Sequence, residues 1–495
     1  MRYLAILFLL LVALLAVVCG HQLTPEEAGE LAVEYPALNS PPPAEPVKEA
    51  RFLESVLIDG VPHVMQRPDF CGEACAAMFL RKLGRDVDQD YVFDRSGVDP
   101  LKARGVVTRE LVAALKRIGF DVGDPWNEIQ EPRQIEHAFA ALHRDLQRGV
   151  PSIVCMYYSG APGATEHFRL VLGYDAATDE VLYHEPAEPD GAYRRMGRQL
   201  FLETWPLRYD TPLAIRIPLD PVALEDGRRS TTLTDADYAQ HLRALKPKIP
   251  SGFNVVVEKP FVVIGNENKK RVKRHASGTV RWATRLLKQD YFTEDPDEII
   301  DIWLFGGGPS YRKYAEELFG EKPSTPYGYY SDADNALVMN IATGGGTLVH
   351  EIVHPFVDAN FPSCPPWFNE GLGSLYERCT ERDGKIWGVT NWRIVGLKQA
   401  IRKGQLPSFE ELMAQDTYGF YERDPGSNYG QSRYLCQYLQ DNGLLRTYYH
   451  AFLKNRHTDP TGYETLKQVL GREDMDAFQD EWEKWALTLR TGPLT

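Results

Sequence analysis

The stretch His350-Glu-Ile-Val-His354, with Pro-Trp-Phe-Asn-Glu-Gly at Pro366 to Gly371 behind it, decides how the second half of this 495-residue chain folds. Two histidines four apart lie one turn apart on the same helix face, so both imidazoles can reach a single ion. Glu351, one step round the helix, can take a proton from water held by that ion. A third ligand is needed, and Asp358, Glu370 and Glu377 are the nearby acids. Asp358 lies roughly 12 Å along the axis from His350 at about 1.5 Å per residue, too far for one coordination sphere. Pro362, Pro365 and Pro366 end the first helix and let a second fold back against it, which favours Glu370. Glu377, two turns further on, is a group behind the ligands or a surface charge.

Working outward, Gly344 to Gly346 form a loop, Thr347 can cap the helix, and Asn335 to Ile341 has the pattern of a strand. Such a strand beside the ion could grip an extended peptide through its backbone. The bland alternative is an amphipathic helix with two packed histidines. With HEIVH and WFNEGLGSLYE on the page, residues 251–495 resemble the gluzincin metallopeptidases, the thermolysin-like and aminopeptidase-like superfamily. The resemblance implies a small mixed-sheet lobe beside a helical lobe. It implies Zn2+ on His350, His354 and Glu370, with Glu351 as the catalytic carboxylate. Tyr429, in Asn-Tyr-Gly-Gln-Ser, stands where the family tyrosine bonds the developing oxyanion; a packing residue at a helix start is the other reading. Fifteen residues separate His354 from Glu370, fewer than in the aminopeptidases. Met339 replaces the glutamate that holds a free amine there, which argues against an exopeptidase.

The first half carries a second constellation. Cys71, in Gln66-Arg-Pro-Asp-Phe-Cys71-Gly-Glu-Ala-Cys75, opens a helix whose dipole and free N–H groups favour thiolate, and Gln66 can bond an oxyanion. Glu166-His167-Phe168 enters a strand, and Tyr183-His-Glu-Pro186 ends the next. His167 can activate the thiol and Glu185 can orient His167. Alternatively, Cys71 is an inert helix thiol or pairs with Cys75, and His184 competes with Glu185 as partner. The order Gln66, Cys71, His167, Glu185 resembles papain-like cysteine peptidases of the double-glycine leader peptidase type. Glu185 stands where that family has aspartate, and no transporter segments follow, so a leader-peptide substrate does not carry over.

Length suits two domains, and the pattern gives an α+β chain. A papain-like domain spans 51–220, a polar linker ending in a short helical stretch 221–250, and the gluzincin-like domain 251–495. Leu4 to Val18 is an apolar run too short for a confident membrane span but suited to a signal peptide at 1–20, followed by a proline-rich tether at 21–50. The protein is therefore expected to be exported, as a secreted, periplasmic or membrane-anchored species. Cys19 is a candidate lipid anchor to a membrane, with cleavage after Gly20 as the competing reading. Net charge −14 argues against nucleic acid as a partner, and the basic run Asn268 to Arg274 suits a solvated turn or helix end. Seven cysteines without regular spacing give no disulfide scaffold, although a bridge among Cys364, Cys379 and Cys436 is open. The expected function is an exported zinc peptidase with a cysteine-peptidase-like domain; the rival is a surface binding or scaffold protein in which one or both sites are inactive.

Overall fold

The structure is a computed structural model that describes residues 53–423 and 425–492. The expected signal peptide, the expected tether and Cys19 lie outside the described residues. Glu54 to Thr495 form one compact unit of mixed α+β architecture built on two main sheets, with two small two-stranded ones beside them. Among the described residues no helix is long and apolar enough to cross a membrane.

The first sheet has seven strands: β1 (Val56–Leu57), β2 (Trp126–Glu128), β3 (Ser152–Tyr157), β4 (Glu166–Asp175), β5 (Glu180–His184), β6 (Arg194–Gly197) and β7 (Leu213–Pro218). The order is β2-β7-β3-β4-β5-β6, with β1 pairing β4. The strands β3 and β4 are apolar along most of their length, as expected for a sheet covered on both faces. Against one face pack α1 (Cys71–Lys82), α2 (Gln89–Ser96) and α3 (Thr108–Ile118). In α3 the buried side chains Leu111, Leu115 and Ile118 recur at helical spacing, and Arg109, Lys116 and Arg117 stay outside. Thr108 is the first helical residue and not its cap. Val107 takes the cap position, with its N–H bonded to the Glu110 side chain at 3.0 Å.

The second sheet has the order β8-β9-β10-β12-β11, from β8 (Asn254–Glu258), β9 (Phe261–Gly265), β10 (Ile300–Phe305), β11 (Gly328–Ser331) and β12 (Ala336–Asn340). The three central strands run parallel, and both edges are antiparallel. Period-two alternation divides their side chains. Phe261, Val263, Ile302, Leu304 and Leu337 face one core, and Val262, Ile264, Trp303, Phe305 and Val338 face the other. The first core is closed by α5 (Gly346–Asn360) and the second by α4 (Asp235–Leu245) with the helix at Gly308–Phe319. The segment 221–250, expected as a polar linker with a short helical stretch, holds the helix α4.

Two local expectations need correction. Ala336–Asn340 is an interior strand with partners on both sides, so its backbone has no free edge; that edge belongs to β11. Thr347 lies inside α5, which starts at Gly346 with Gly345 as its cap residue. Beyond α5 the chain is mainly helical, including α6 (Pro366–Tyr376), α7 (Ile394–Lys403) and α8 (Pro425–Asp441). The basic run forms the short helix Lys269–His275, capped by Asn268.

Candidate active sites

In the second half, the site is built where α5 meets α6. Leu348, Val349, Ile352, Val353, Phe356 and Val357 drive one face of α5 into the core, which leaves His350, Glu351 and His354 on the remaining arc. Pro355 sits inside the helix and removes the N–H that would return to the Glu351 carbonyl. The chain turns after Asn360, and Pro365 precedes a new helix that carries Glu370 back to the histidines. Gly373 makes this approach possible, because a Cβ there would stand 3.3 Å from both imidazole rings.

One donor atom from each of His350, His354 and Glu370 lies within 4.8 Å of the others. Glu370 Oε2 is 3.2 Å from His350 Nε2 and 4.0 Å from His354 Nε2. For comparison, ligands around a tetrahedral ion with bonds near 2 Å stand about 3.3 Å apart. Glu370 Oε2 is buried and, apart from the 3.2 Å approach of His350 Nε2, has no partner, so a cation between the rings would satisfy it. The donor set, two imidazoles and one carboxylate, suits zinc. Asp358 is outside this group.

The three donor residues are oriented from behind. His354 Nδ1 donates to Asn369 Oδ1 at 2.9 Å, which leaves Nε2 for the centre. Glu377 is half-buried: its Oε1 lies 3.5 Å from His350 Nδ1, long for a hydrogen bond, and its carboxylate is gripped by Arg393 at 2.6 and 2.9 Å and Asn391 at 2.8 Å. Of its two expected placements, the one behind the ligands is what the fold gives. Burial works against ionisation of both Glu370 and Glu377. The His350 bond and the charges of both histidines hold Glu370 at about 2, and Arg393 followed by His350 does the same for Glu377. Tyr421, which sequence reasoning missed, donates to Glu370 Oε1 at 2.6 Å.

Glu351 and Tyr429 both line a cleft of about 930 Å³ that opens over His350. The Tyr429 hydroxyl also lies against Glu370; burial, then that carboxylate, keep it protonated and so a donor. Arg393 stacks over the rings of Trp392 and Tyr429 at 4.4 and 4.9 Å.

In the first half, Gly72 lets α1 lie close to β4, since a Cβ would meet Leu111 at 2.8 Å and Phe168 at 3.1 Å. The Cys71 thiol consequently sits against the Phe168 backbone, next in sequence to His167. His167 Nε2 pairs with Glu185 Oε1 at 2.5 Å, which leaves Nδ1 as the nitrogen without that bond. Arg169 Nε holds the other carboxylate oxygen at 2.7 Å, and the Ala187 N–H adds a third bond at 3.1 Å. His184 is no rival, because its Nε2 contacts the Val61 carbonyl and its Nδ1 accepts from the Tyr193 N–H. Gln66 is fixed by its N–H to the Pro186 carbonyl, and Gln89 bonds the backbone on either side of it, at Met65 and Arg67. Cys75 is buried, its thiol 3.8 Å from the Phe168 carbonyl; all six described cysteines are free, including Cys364, Cys379 and Cys436.

The helix-start amides favour the Cys71 thiolate as expected, but burial outweighs them. Burial raises the Cys71 thiol to about 11 against the Phe168 amide, and Glu73 raises it further, so the helix N-terminus alone does not yield a thiolate. The thiol must give its proton to a base when substrate binds.

Glu73 is itself buried, with one oxygen bonded to the Val106 N–H at 2.8 Å and the other unpartnered. Burial lifts it from 4.5 to about 8, so between those values the folded chain keeps a proton that the unfolded chain loses. Stability therefore falls as pH rises across this window. Glu73→Gln, which mimics the neutral acid, is expected to gain a few kcal/mol over wild type above pH 8 and nothing below about pH 4, as read by urea unfolding at each pH.

A thiol at a helix start, an imidazole on the adjoining strand and an acid held by arginine have the layout that papain-like cysteine peptidases use. Residues 58–211, about a third of the chain, match the model of the Peptidase_C39 like family. This supports a peptidase of the cysteine type acting on peptide or protein. Among solved structures, the peptidase domain of Streptococcus ComA, a bifunctional ABC transporter involved in a quorum-sensing pathway, is similar at 16% identity, covering 32% of this chain and 99% of that one, with a TM-score of 0.23. No curated protein matches the chain.

Proposed function

We propose that the chain is an exported peptidase with two hydrolytic sites, a zinc-dependent one of gluzincin type in residues 251–495 and a cysteine site in residues 51–220. The zinc reading rests on one observation, the convergence of His350, His354 and Glu370 donor atoms within 4.8 Å beneath a cleft that Glu351 and Tyr429 line. Zinc held by these three residues would polarise the scissile carbonyl and acidify a water. Glu351 takes the water's proton and returns it to the leaving amine. Tyr429 donates to the carbonyl oxygen as negative charge grows there. The edge of β11, whose Gly328 lines the cleft, offers unpaired backbone groups to an extended substrate. Met339 is buried in the core and presents no carboxylate for a free amine, which favours cleavage inside a chain. At the cysteine site Cys71 attacks the carbonyl, His167 takes the thiol proton, and Gln66 bonds the oxyanion. Export rests on the apolar run Leu4 to Val18 ahead of a proline-rich tether.

A peptide-library digest by wild type, Glu351→Gln and Cys71→Ala proteins, each with and without a zinc chelator, tests both sites. Two sets of cleavages are expected, one lost to chelator and to Glu351→Gln, the other lost only to Cys71→Ala. Cleavages that survive chelator and both substitutions would refute the proposal. Glu377→Gln weakens the hold of Arg393 behind His350, and zinc affinity, read by competition with a chromophoric chelator, is expected to drop about 10- to 100-fold.

A further inference from the structure

The turn from Gln66 to Phe70 separates the candidate oxyanion donor from the thiol, and it is gripped by a helix beyond residue 211, where the family match ends. On one face of α4, Asp237 Oδ1 accepts from Arg67 Nη1 at 3.0 Å and Gln240 Nε2 donates to the Pro68 carbonyl at 2.8 Å. Arg243 donates to both oxygens of Asp69, at 2.6 and 3.3 Å. Three side chains at three-residue spacing thus hold three successive residues of the turn. Asp69 has φ +66°, a left-handed backbone that an L residue rarely keeps without outside restraint. The opposite face of α4 is fixed elsewhere: Tyr238, Leu242 and Leu245 lie in a core of the second sheet, and His241 bonds Asp301 on β10 at 2.7 Å.

We infer that Arg243, with Gln240 and Asp237, is a positioning residue of the cysteine site: α4 sets the separation of Gln66 from Cys71, so a segment anchored in the second half of the chain completes a site whose chemistry lies in the first. This rests on the reading of Cys71, His167 and Gln66 as a peptidase site. As a partly exposed ion pair, Arg243 with Asp69 adds little to global stability, so its removal acts on the turn and not on the fold.

Two probes of Cys71 in the full-length protein separate these effects, with the modified residue identified by peptide mass analysis. Iodoacetamide alkylates the thiol by displacement and needs no oxyanion donor. A tripeptide aldehyde forms a hemithioacetal: the sulfur–carbon bond forms as the carbonyl π bond breaks, and the thiol proton ends on the oxygen, which Gln66 bonds. Arg243→Ala is expected to weaken aldehyde binding about 10- to 100-fold, with alkylation rate and Tm unchanged. Arg243→Lys, which keeps a donor for Asp69, is expected to recover most of that loss. Wild-type aldehyde affinity in Arg243→Ala overturns the inference, as does a parallel loss of both probes with a lowered Tm, the mark of a purely structural role. If wild-type Cys71 reacts no faster than in denatured protein, the cysteine reading itself fails and the inference falls with it.

Discussion

Glu351→Gln is expected to leave metal content unchanged while lowering chelator-sensitive peptide hydrolysis by about 10²- to 10⁴-fold, the usual worth of a positioned general base. Glu351 makes no hydrogen bond or ion pair among the described residues and lines the cleft, so an amide of the same shape costs the fold little. It also stands apart from the three converging donors, and the donor set is preserved. What the amide lacks is a site for the proton of water, so the loss should fall on kcat more than on KM. Retained turnover in this variant would remove Glu351 from the chemistry. A variant that loses both metal and turnover would instead place Glu351 among the ligands.

Glu185→Ala is expected to be the most damaging single change in the first half. The carboxylate binds His167 on one oxygen and Arg169 on the other, and all three side chains are buried. Truncation leaves the Arg169 guanidinium without its counter-charge, a loss of about 3 to 5 kcal/mol. It also frees the imidazole to turn, so reaction of Cys71 with the aldehyde should fall even where the protein stays folded. Glu185→Gln separates the two effects, since it can still accept from His167 but cannot neutralise Arg169. The pH dependence has a fixed sign. Burial opposes ionisation of Glu185, yet His167 and Arg169 outweigh it and hold the acid below 4.5. The folded chain therefore binds fewer protons than the unfolded chain just below that pH, and the stabilisation present above 4.5 is lost on acidification. Unfolding of wild type and Glu185→Gln should differ at pH 7 and converge as the acid is titrated.

What was legible in the sequence was chemistry held within one or two turns. HEIVH needs only helical spacing to align its imidazoles, and the proline break after Asn360 was enough to bring Glu370 back to them. The second site, with Cys71 and His167 96 positions apart, was legible only through the resemblance carried by the order Gln66, Cys71, His167, Glu185. What was not legible came from pairings distant in sequence. Tyr421 lies in an irregular helical turn with no apolar period and reaches Glu370 across 51 positions. Arg169 looked like an ordinary strand residue until β5 brought Glu185 beside it. The amides that favour the Cys71 thiolate were legible from the helix start, whereas the burial of Cys71 and Glu73 that outweighs them is a property of the folded chain. Likewise, strand order alone decides that β11 and not β12 carries the free edge. A short helical stretch in 221–250 was legible, but not its partners: α4 turns Asp237, Gln240 and Arg243 toward the cysteine turn and Tyr238, Leu242 and Leu245 toward a core.

Direct titration of the metal-stripped, full-length protein with zinc puts the centre itself to the question. The proposed geometry requires one tight site per chain, abolished by His350→Ala and by Glu370→Ala, with the fold retained by circular dichroism. A folded wild-type protein that takes up no zinc, or one whose uptake survives both substitutions, would contradict it.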